Sequence, residues 1–204
     1  MKLFTFIVLA LMLVGTTAMA AEVPTSRGDK AMVFMFNGLD DLSVDGYGGF
    51  YGFGARYYIA DGTAFRIGLQ FGKLSHTDVD FDWEDDYNTY GLSAAYEKHM
   101  AGPCSSVSPY WGVGVGYSSF SDKDTNDVGD TATYSGSGFS AFGLLGFEWG
   151  FTNCMTLGGE YGLGFTSSSE DLEIVIGGVS NTINEHDYSG MGFATASVYL
   201  SVYW

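Results

Sequence analysis

The chain has 204 residues, a formal net charge of −16, 30 glycines and an aromatic content of 17%. With only 3 prolines and few segments of helical period, this composition favours a fold of many strands over a helical or disordered chain. So acidic a protein repels nucleic acids and bare phosphate surfaces, and we expect no nucleic-acid partner.

The N-terminus predicts export. Met1 and Lys2 precede the apolar run LFTFIVLALMLVG, and small residues at Ala18 and Ala20 then fit an A-x-A cleavage site. We expect residues 1–20 to be a cleaved signal peptide. A retained membrane helix is the alternative, but the run is short and no stop-transfer charges follow it.

The rest of the chain predicts a short polar periplasmic tether over 21–29 and one barrel domain over 30–204. Eight segments alternate between apolar and polar residues, near 31–37, 48–59, 63–74, 88–99, 109–119, 138–151, 155–167 and 191–204. Most have the roughly 9–11 residues with which a tilted strand crosses a bilayer. Their connections alternate between short turns and long acidic loops, which predicts an all-β, eight-stranded antiparallel up-and-down transmembrane β-barrel.

The two faces of these segments differ in size. In AFRIGLQFGKL, for example, large apolar side chains alternate with Arg66, Gly68, Gln70 and Gly72. A soluble barrel would carry many charges outside, whereas glycine and serine suit the crowded lumen of a narrow barrel. We therefore expect the large apolar face to contact lipid, with aromatic residues near the strand ends at headgroup depth.

The last segment, SVYLSVYW, is the most specific feature. It ends on Trp204, and Val202, Leu200 and Val198 occupy alternate positions before it. With this pattern the chain resembles the small outer-membrane β-barrels of Gram-negative bacteria, which include outer membrane protein X, the transmembrane domain of outer membrane protein A and the opacity-type porin-family proteins. The resemblance implies a bacterial outer-membrane location in contact with lipid and lipopolysaccharide. It also implies that these four residues are the signal read by the barrel-assembly machinery, with Trp in place of the more usual Phe.

Several polar residues fall on the small-residue face and are expected in the lumen. They are Arg56, Arg66, Gln70, Glu97, Glu148 and Glu160. Arg56 and Arg66 flank the turn ADG at matched distances, so they face each other, and Glu97 is the nearest anionic partner. Two interpretations stay open: a structural plug of paired buried charges and a salt-bridge gate in a narrow pore.

Cys104 and Cys154 are the 2 cysteines of the chain. Both fall in short turns at the periplasmic end and bracket one hairpin. Because an exported protein meets an oxidising compartment, we predict a disulfide that pins the rim of the barrel, with two unpaired thiols as the alternative.

The long connections give weak signals for chemistry. DKDTND begins like a calcium loop at Asp122, Asp124 and Asn126, but Asp127 stands where Gly is needed and Thr133 where Glu is needed. We expect no specific metal site and no cofactor, and favour loose bridging of acidic loops to lipopolysaccharide by Mg²⁺ or Ca²⁺.

The last connection, LEIVIGGVSNTI, holds two β-prone stretches about Gly-Gly. Either strands seven and eight extend beyond the bilayer, or a separate hairpin projects and adds strands of a partner protein to its edge. Glu185, His186 and Ser189 are the weak candidates for catalysis, and we expect no enzyme.

Together these features predict a monomeric outer-membrane barrel that presents four acidic extracellular loops. The function expected is structural or surface-interacting, through an extracellular protein partner of the loops. The alternative is a narrow porin-like channel for ions or small solutes.

Overall fold

The computed structural model describes residues 21–37, 51–78, 83–100, 105–125, 129–193 and 197–204. The expected signal peptide at 1–20 lies outside them. The described residues form nine β-strands: β1 (Lys30–Asn37), β2 (Tyr51–Ala60), β3 (Thr63–Asp78), β4 (Trp83–His99), β5 (Val107–Thr125), β6 (Thr131–Thr152), β7 (Met155–Ile176), β8 (Val179–Phe193) and β9 (Ser197–Tyr203). No helix in these residues is long and apolar enough to cross a membrane.

The strands close into a ring. From β1 to β7, each strand pairs antiparallel with the next along the chain. β8 pairs with residues 163–176 of β7 and β9 with residues 155–160, so the two occupy one position in the ring. β9 also pairs with β1 and closes the barrel. The predicted eight-stranded up-and-down architecture is thereby confirmed.

The outward and inward faces follow the predicted pattern. On β3, Phe65, Ile67 and Leu69 are 51%, 60% and 44% exposed, whereas the alternating Arg66 and Gly68 are buried. A lipid solvent explains large apolar side chains on the outside of a barrel. The prediction that these side chains face outward is therefore confirmed.

The later strands are longer than predicted. β6 and β7 have 22 residues each, and β8 begins at Val179 instead of near position 191. Gly177 and Gly178 form the turn between β7 and β8 with φ of 57° and 82°, the left-handed values that a two-residue hairpin turn requires. Of the two alternatives for LEIVIGGVSNTI, the structure has the extension of strands seven and eight.

This extension is tall. The large apolar side chains on the outer face of β7 end at Phe165, and serine and acidic residues follow on that face. At about 3.3 Å per residue and a tilt of about 40°, the remainder of β7 rises roughly 25–30 Å. The ends of β5, β6, β7 and β8 beyond the apolar belt are called here the protruding sheet, and β4 pairs with its β5 edge as far as Glu84 and Thr125.

Residues 21–29 are fixed to the short-turn end of the barrel. Ala21 N donates to Gly150 O at 3.0 Å, and Val23 N donates to Ser105 O at 3.1 Å. Both side chains are buried. A Cβ at Gly150 would lie 2.3 Å from the Ala21 carbonyl oxygen, so the close approach requires glycine. The segment expected as a tether is thus a docked strap, called here the N-terminal strap.

The strap also binds the opposite side of the rim. Gly62 N, in the turn between β2 and β3, donates to Thr25 O at 2.7 Å, and Arg27 N donates to Asp61 Oδ1 at 2.9 Å. The strap therefore spans the end of the barrel from the β2–β3 turn to the ends of β5 and β6.

Candidate functional site in the barrel lumen

Five charged residues of five different strands meet in the lumen. Arg56, Arg66, Glu97, Glu148 and Glu160 all occupy inward positions of their strands. Arg56 and Arg66 are direct partners in the register of β2 and β3, as their equal distances from the turn predict. Alternation within each strand turns these side chains into the lumen, and their direct contacts show that they lie at similar depth.

Arg56 is held between two carboxylates. Its Nε lies 2.7 Å from Glu97 Oε2 and its Nη1 lies 2.6 Å from Glu148 Oε1, with all three side chains fully buried. The guanidinium carbon also lies 5.8 Å and 5.5 Å from the ring centroids of Tyr110 and Tyr199. Such ring faces attract cations, so they add to the stabilisation of this buried charge.

Arg66 extends the array. Its Nε lies 3.1 Å from Glu97 Oε1, and its Nη2 lies 2.8 Å from Glu160 Oε2. Tyr110 OH donates to Glu160 at 2.7 Å. Glu97 thus bridges the two arginines, and the series Glu148–Arg56–Glu97–Arg66–Glu160 is called here the luminal ion chain.

Glu148, at one end of the ion chain, accepts hydrogen bonds from several hydroxyl groups. Its carboxylate accepts hydrogen bonds from Thr156 Oγ1 at 3.0 Å, Ser201 Oγ at 3.0 Å and Tyr203 OH at 3.2 Å, in addition to Arg56. A buried ion pair stabilises only when its remaining hydrogen-bonding capacity is satisfied. The hydroxyls contributed by β7 and β9 meet this requirement for the carboxylate, whereas Arg56 Nη2 has no hydrogen-bond partner among the described residues.

His99 is a member of the polar cluster that the predicted set lacks. Its Nε2 lies 3.1 Å from Tyr58 OH and its Nδ1 lies 2.9 Å from Ser108 Oγ. Its ring stacks on Tyr110 with centroids 4.8 Å apart. His99 lies two positions after Glu97 on β4, so the alternation of the strand predicts that it also faces the lumen.

Gln70 follows Arg66 on β3 and lies closer than the ion chain to the long-connection end of the barrel. It lines a cavity of about 440 Å³ located between the ion chain and the long-connection end of the barrel. Arg66 and Glu160 line the same cavity from the ion-chain side. Of the six predicted luminal residues, five form the ion chain and Gln70 borders this cavity.

Packed side chains surround the ion chain on both sides. Toward the short turns, Ala31, Tyr58, Ala64 and Tyr203 form a buried cluster, and the strap follows. Toward the cavity, a second buried cluster comprises Val33, Met35, Ala95, Tyr110, Leu144 and Tyr199. The described side chains therefore fill the lumen at the level of the ion chain, as expected for a barrel of this size.

A family model for an outer membrane protein beta-barrel domain matches residues 6–199. The chain belongs to this outer-membrane β-barrel family. Its structure is similar to that of a major outer membrane protein from Thermus thermophilus, with a TM-score of 0.56 and 12% identity over 86% of this chain and 99% of that chain. At this identity the likeness concerns the fold alone.

Two further solved barrels are similar to this outer-membrane barrel. Ail, the attachment invasion locus protein of Yersinia pestis, has a TM-score of 0.49 and 12% identity over 87% of this chain and 99% of that chain. The N-terminal β-barrel domain of Pseudomonas aeruginosa OprF has a TM-score of 0.45 and 12% identity over 87% and 98% of the two chains. No curated protein sequence matches this outer-membrane barrel.

The predicted assembly signal lies on the closing strand of this outer-membrane barrel. Val198, Leu200 and Val202 are half-buried on the outward side of β9, and Trp204 is 71% exposed at the end of the barrel. Trp204 N donates to Lys30 O at 3.2 Å. Recognition of these residues by the assembly machinery stays a prediction.

The disulfide also stays a prediction. Cys104 lies outside the described residues. Within the described part of the chain, Cys154 is a free, exposed cysteine in the turn between β6 and β7. Its Sγ lies 3.7 Å from Thr152 Oγ1.

The weaker candidates for chemistry are described only in part. Asn126 and Asp127 lie outside the described residues, as do the side chains of Glu185 and His186. Ser189 is exposed on β8. Across the ranges that the structure covers, no group of three or more His, Cys, Asp and Glu residues could hold a metal ion.

Proposed function

We propose that this outer-membrane barrel is a non-catalytic, membrane-anchored scaffold that presents an acidic protruding sheet to an extracellular protein partner. In this proposal the chain is exported by a cleaved signal peptide and acts as a monomer. The observation that carries the proposal is the continuation of four paired strands far beyond the apolar belt. Such a rigid, raised surface is suited to presenting binding groups.

The protruding sheet is regular and well supported. β7 pairs with β6 up to Thr131 and Val175, and with β8 up to Ile176 and Val179. Asp130 Oδ1 accepts a hydrogen bond from Gly177 N at 2.9 Å, which links the tip of the β7–β8 hairpin to the start of β6. The tip therefore has a defined position relative to the barrel.

The chemistry of the sheet favours a partner with a basic face. Its acidic residues in the described strands and turns are Asp122, Asp124, Asp130, Glu170, Asp171, Glu173, Glu185 and Asp187. At the tip, Ile176 and Val179 are each 62% exposed. The exposed apolar side chains provide surface that a partner buries. The acidic groups beside them attract a partner with a basic surface and orient it as it approaches.

The ion chain supports a structural role for the lumen. An ion that crossed it would have to displace arginines that are each paired with two carboxylates and packed between buried clusters. Separating such buried pairs is strongly unfavourable. The narrow channel remains the competing function.

Photo-crosslinking on intact cells tests the interaction. We expect p-benzoyl-phenylalanine at Val179 to give adducts of discrete mass with an extracellular protein. The matched control places the same probe at Leu163, which faces lipid on β7. Equal adducts at both positions, or none at Val179 in a panel of basic extracellular proteins, would contradict the proposal.

A measurement of single-channel conductance distinguishes the scaffold function from the channel function. Refolded, heat-modifiable protein in a planar bilayer should give no reproducible single-channel current across a range of salt concentrations. A current that scales with salt, and changes in a folded Arg56→Gln variant, would move the function into the lumen.

A further inference from the structure

We propose that the cavity above the ion chain, called here the upper cavity, binds a small uncharged polyhydroxylated molecule, a monosaccharide or a polyol of similar size. The proposal goes beyond the scaffold function and does not depend on it. The upper cavity has a volume of about 440 Å³, within the usual range of about 300–1,000 Å³ for small-molecule sites.

The floor of the upper cavity offers a buried donor. Arg66 is only 6% exposed, and its Nε and Nη2 bind Glu97 and Glu160. Its remaining nitrogen, Nη1, is buried and has no hydrogen-bond partner among the described residues. A buried guanidinium N–H is expected to have an acceptor. Because Nη1 is closed off in this structure, a ligand oxygen pairs with it when the side chains at the floor of the cavity shift.

The walls of the upper cavity carry hydroxyl and amide groups. Gln70, Thr89, Ser93, Ser118 and Ser140 line it from β3, β4, β5 and β6. Serine and threonine hydroxyls and the glutamine amide both donate and accept hydrogen bonds. A ligand that matches them must also donate and accept in several directions, which is the property of a polyhydroxylated molecule.

Aromatic rings provide an apolar surface in the same cavity. Tyr87 and Phe120 line it and stack on each other, with centroids 6.5 Å apart and planes at 24°. Phe142 lines it nearer the ion chain. Aromatic surface with a few convergent polar groups is the usual composition of a small-molecule site, and the C–H face of a sugar ring suits such surface.

The charges of the upper cavity disfavour an ionic ligand. Its ionised lining residues within the described part of the chain are Arg66 and Glu160, which neutralise each other at 2.8 Å. An anion would also meet the repulsion of a chain with a net charge of −16. The carboxylate of Glu160 is already bound by Arg66 and Tyr110, so a cation finds its charge largely compensated.

Calorimetric titration of the folded full-length protein in nanodiscs tests the proposal. The probes are glucose, galactose, mannose and glycerol, with zwitterionic glycine and the acetate anion as ionic comparisons. We expect saturable binding of at least one uncharged probe. Absence of saturable binding for all four, or binding of glycine or acetate alone, would overturn the proposal.

Cavity-filling variants locate the binding. Ser140 lines the upper cavity and pairs with Thr166, whereas Glu160 pairs with Gly146. Ser140→Leu therefore fills the cavity from a position away from the ion chain, and Ala141→Leu adds a similar side chain on the lipid face of the same strand. Affinity should fall at least about tenfold in the first and stay unchanged in the second. Ser93→Leu with Ala94→Leu repeats the comparison on β4 if the first variant does not fold. Equal affinities within a folded pair would place the binding elsewhere and refute the proposal.

A methyl glycoside of the binding sugar identifies the source of the ligand. Retained affinity assigns the upper cavity to a terminal sugar of a glycan. Lost affinity assigns it to a free sugar, whose anomeric hydroxyl is then part of the recognition.

Discussion

The luminal ion chain makes a direct prediction about Glu148. Glu148 is fully buried and accepts hydrogen bonds from Arg56, Thr156, Ser201 and Tyr203. Glu148→Gln preserves the shape but removes the negative charge. The amide NH₂ group of the glutamine would also face neighbouring groups that are themselves hydrogen-bond donors.

The magnitude follows from the burial of the pair. Removing one partner of a buried ion pair typically costs about 3–5 kcal/mol, because the other charge is left uncompensated. Arg56 keeps its contact with Glu97, so we expect the lower end, a loss of about 3 kcal/mol in the free energy of unfolding. Urea titration of the protein in lipid vesicles measures this, with tryptophan fluorescence and the heat-modifiable gel shift as parallel signals.

Glu173→Gln is the matched control. Glu173 is exposed on β7 in the protruding sheet, where it accepts a hydrogen bond from Ser180 Oγ. An exposed substitution of this kind should change the free energy of unfolding by less than about 0.5 kcal/mol. A loss below about 1 kcal/mol in Glu148→Gln would refute the reasoning, because the buried charge of Arg56 would then not depend on this carboxylate.

Three further predictions concern the rim and the hairpin tip. Gly150→Ala places a Cβ against the backbone of the N-terminal strap, so limited proteolysis should cleave the strap faster. In the control Gly143→Ala, the added Cβ has at least 4.0 Å of space, and the rate of strap cleavage should not change. Mass spectrometry without reductant should show Cys104 and Cys154 resistant to alkylation, and a doubly alkylated chain would exclude the disulfide. Gly178→Val must adopt a φ near 82°, which costs a β-branched residue about 1–3 kcal/mol, so amide exchange at the hairpin tip should accelerate and exchange in the barrel should not.

The architecture could be predicted because lipid and lumen impose opposite demands on alternate residues. A segment such as YWGVGVGY has large side chains on one face and glycine on the other, which identifies both strand and orientation. Beyond the bilayer both faces meet water, and that contrast disappears. The sequence SSSEDLEIVI therefore has the composition of a loop in part of its length, and the protruding ends of β6, β7 and β8 were underestimated.

In the luminal site, the sequence predicts contacts between neighbouring strands but not contacts across the lumen. Arg56 and Arg66 are equidistant from one turn, so their pairing follows from the hairpin. The contact of Arg56 with Glu148 crosses the lumen and depends on the stagger of the closed ring, which no single segment encodes. The N-terminal strap was missed for a different reason: backbone groups form most of its hydrogen bonds, and AEVPTSRGD reads as an ordinary polar connection.

The attachment points of the strap also define an order of events in folding. Ser105 and Gly150 belong to the part of the chain around β5 and β6, whereas Asp61 and Gly62 belong to the turn between β2 and β3. These groups are far apart in the sequence, and one strap reaches both only when β2, β3, β4, β5 and β6 are paired side by side. Docking of residues 21–29 therefore follows the pairing of these strands. A fluorophore on this segment would report the assembled rim, separately from the insertion of individual strands into lipid.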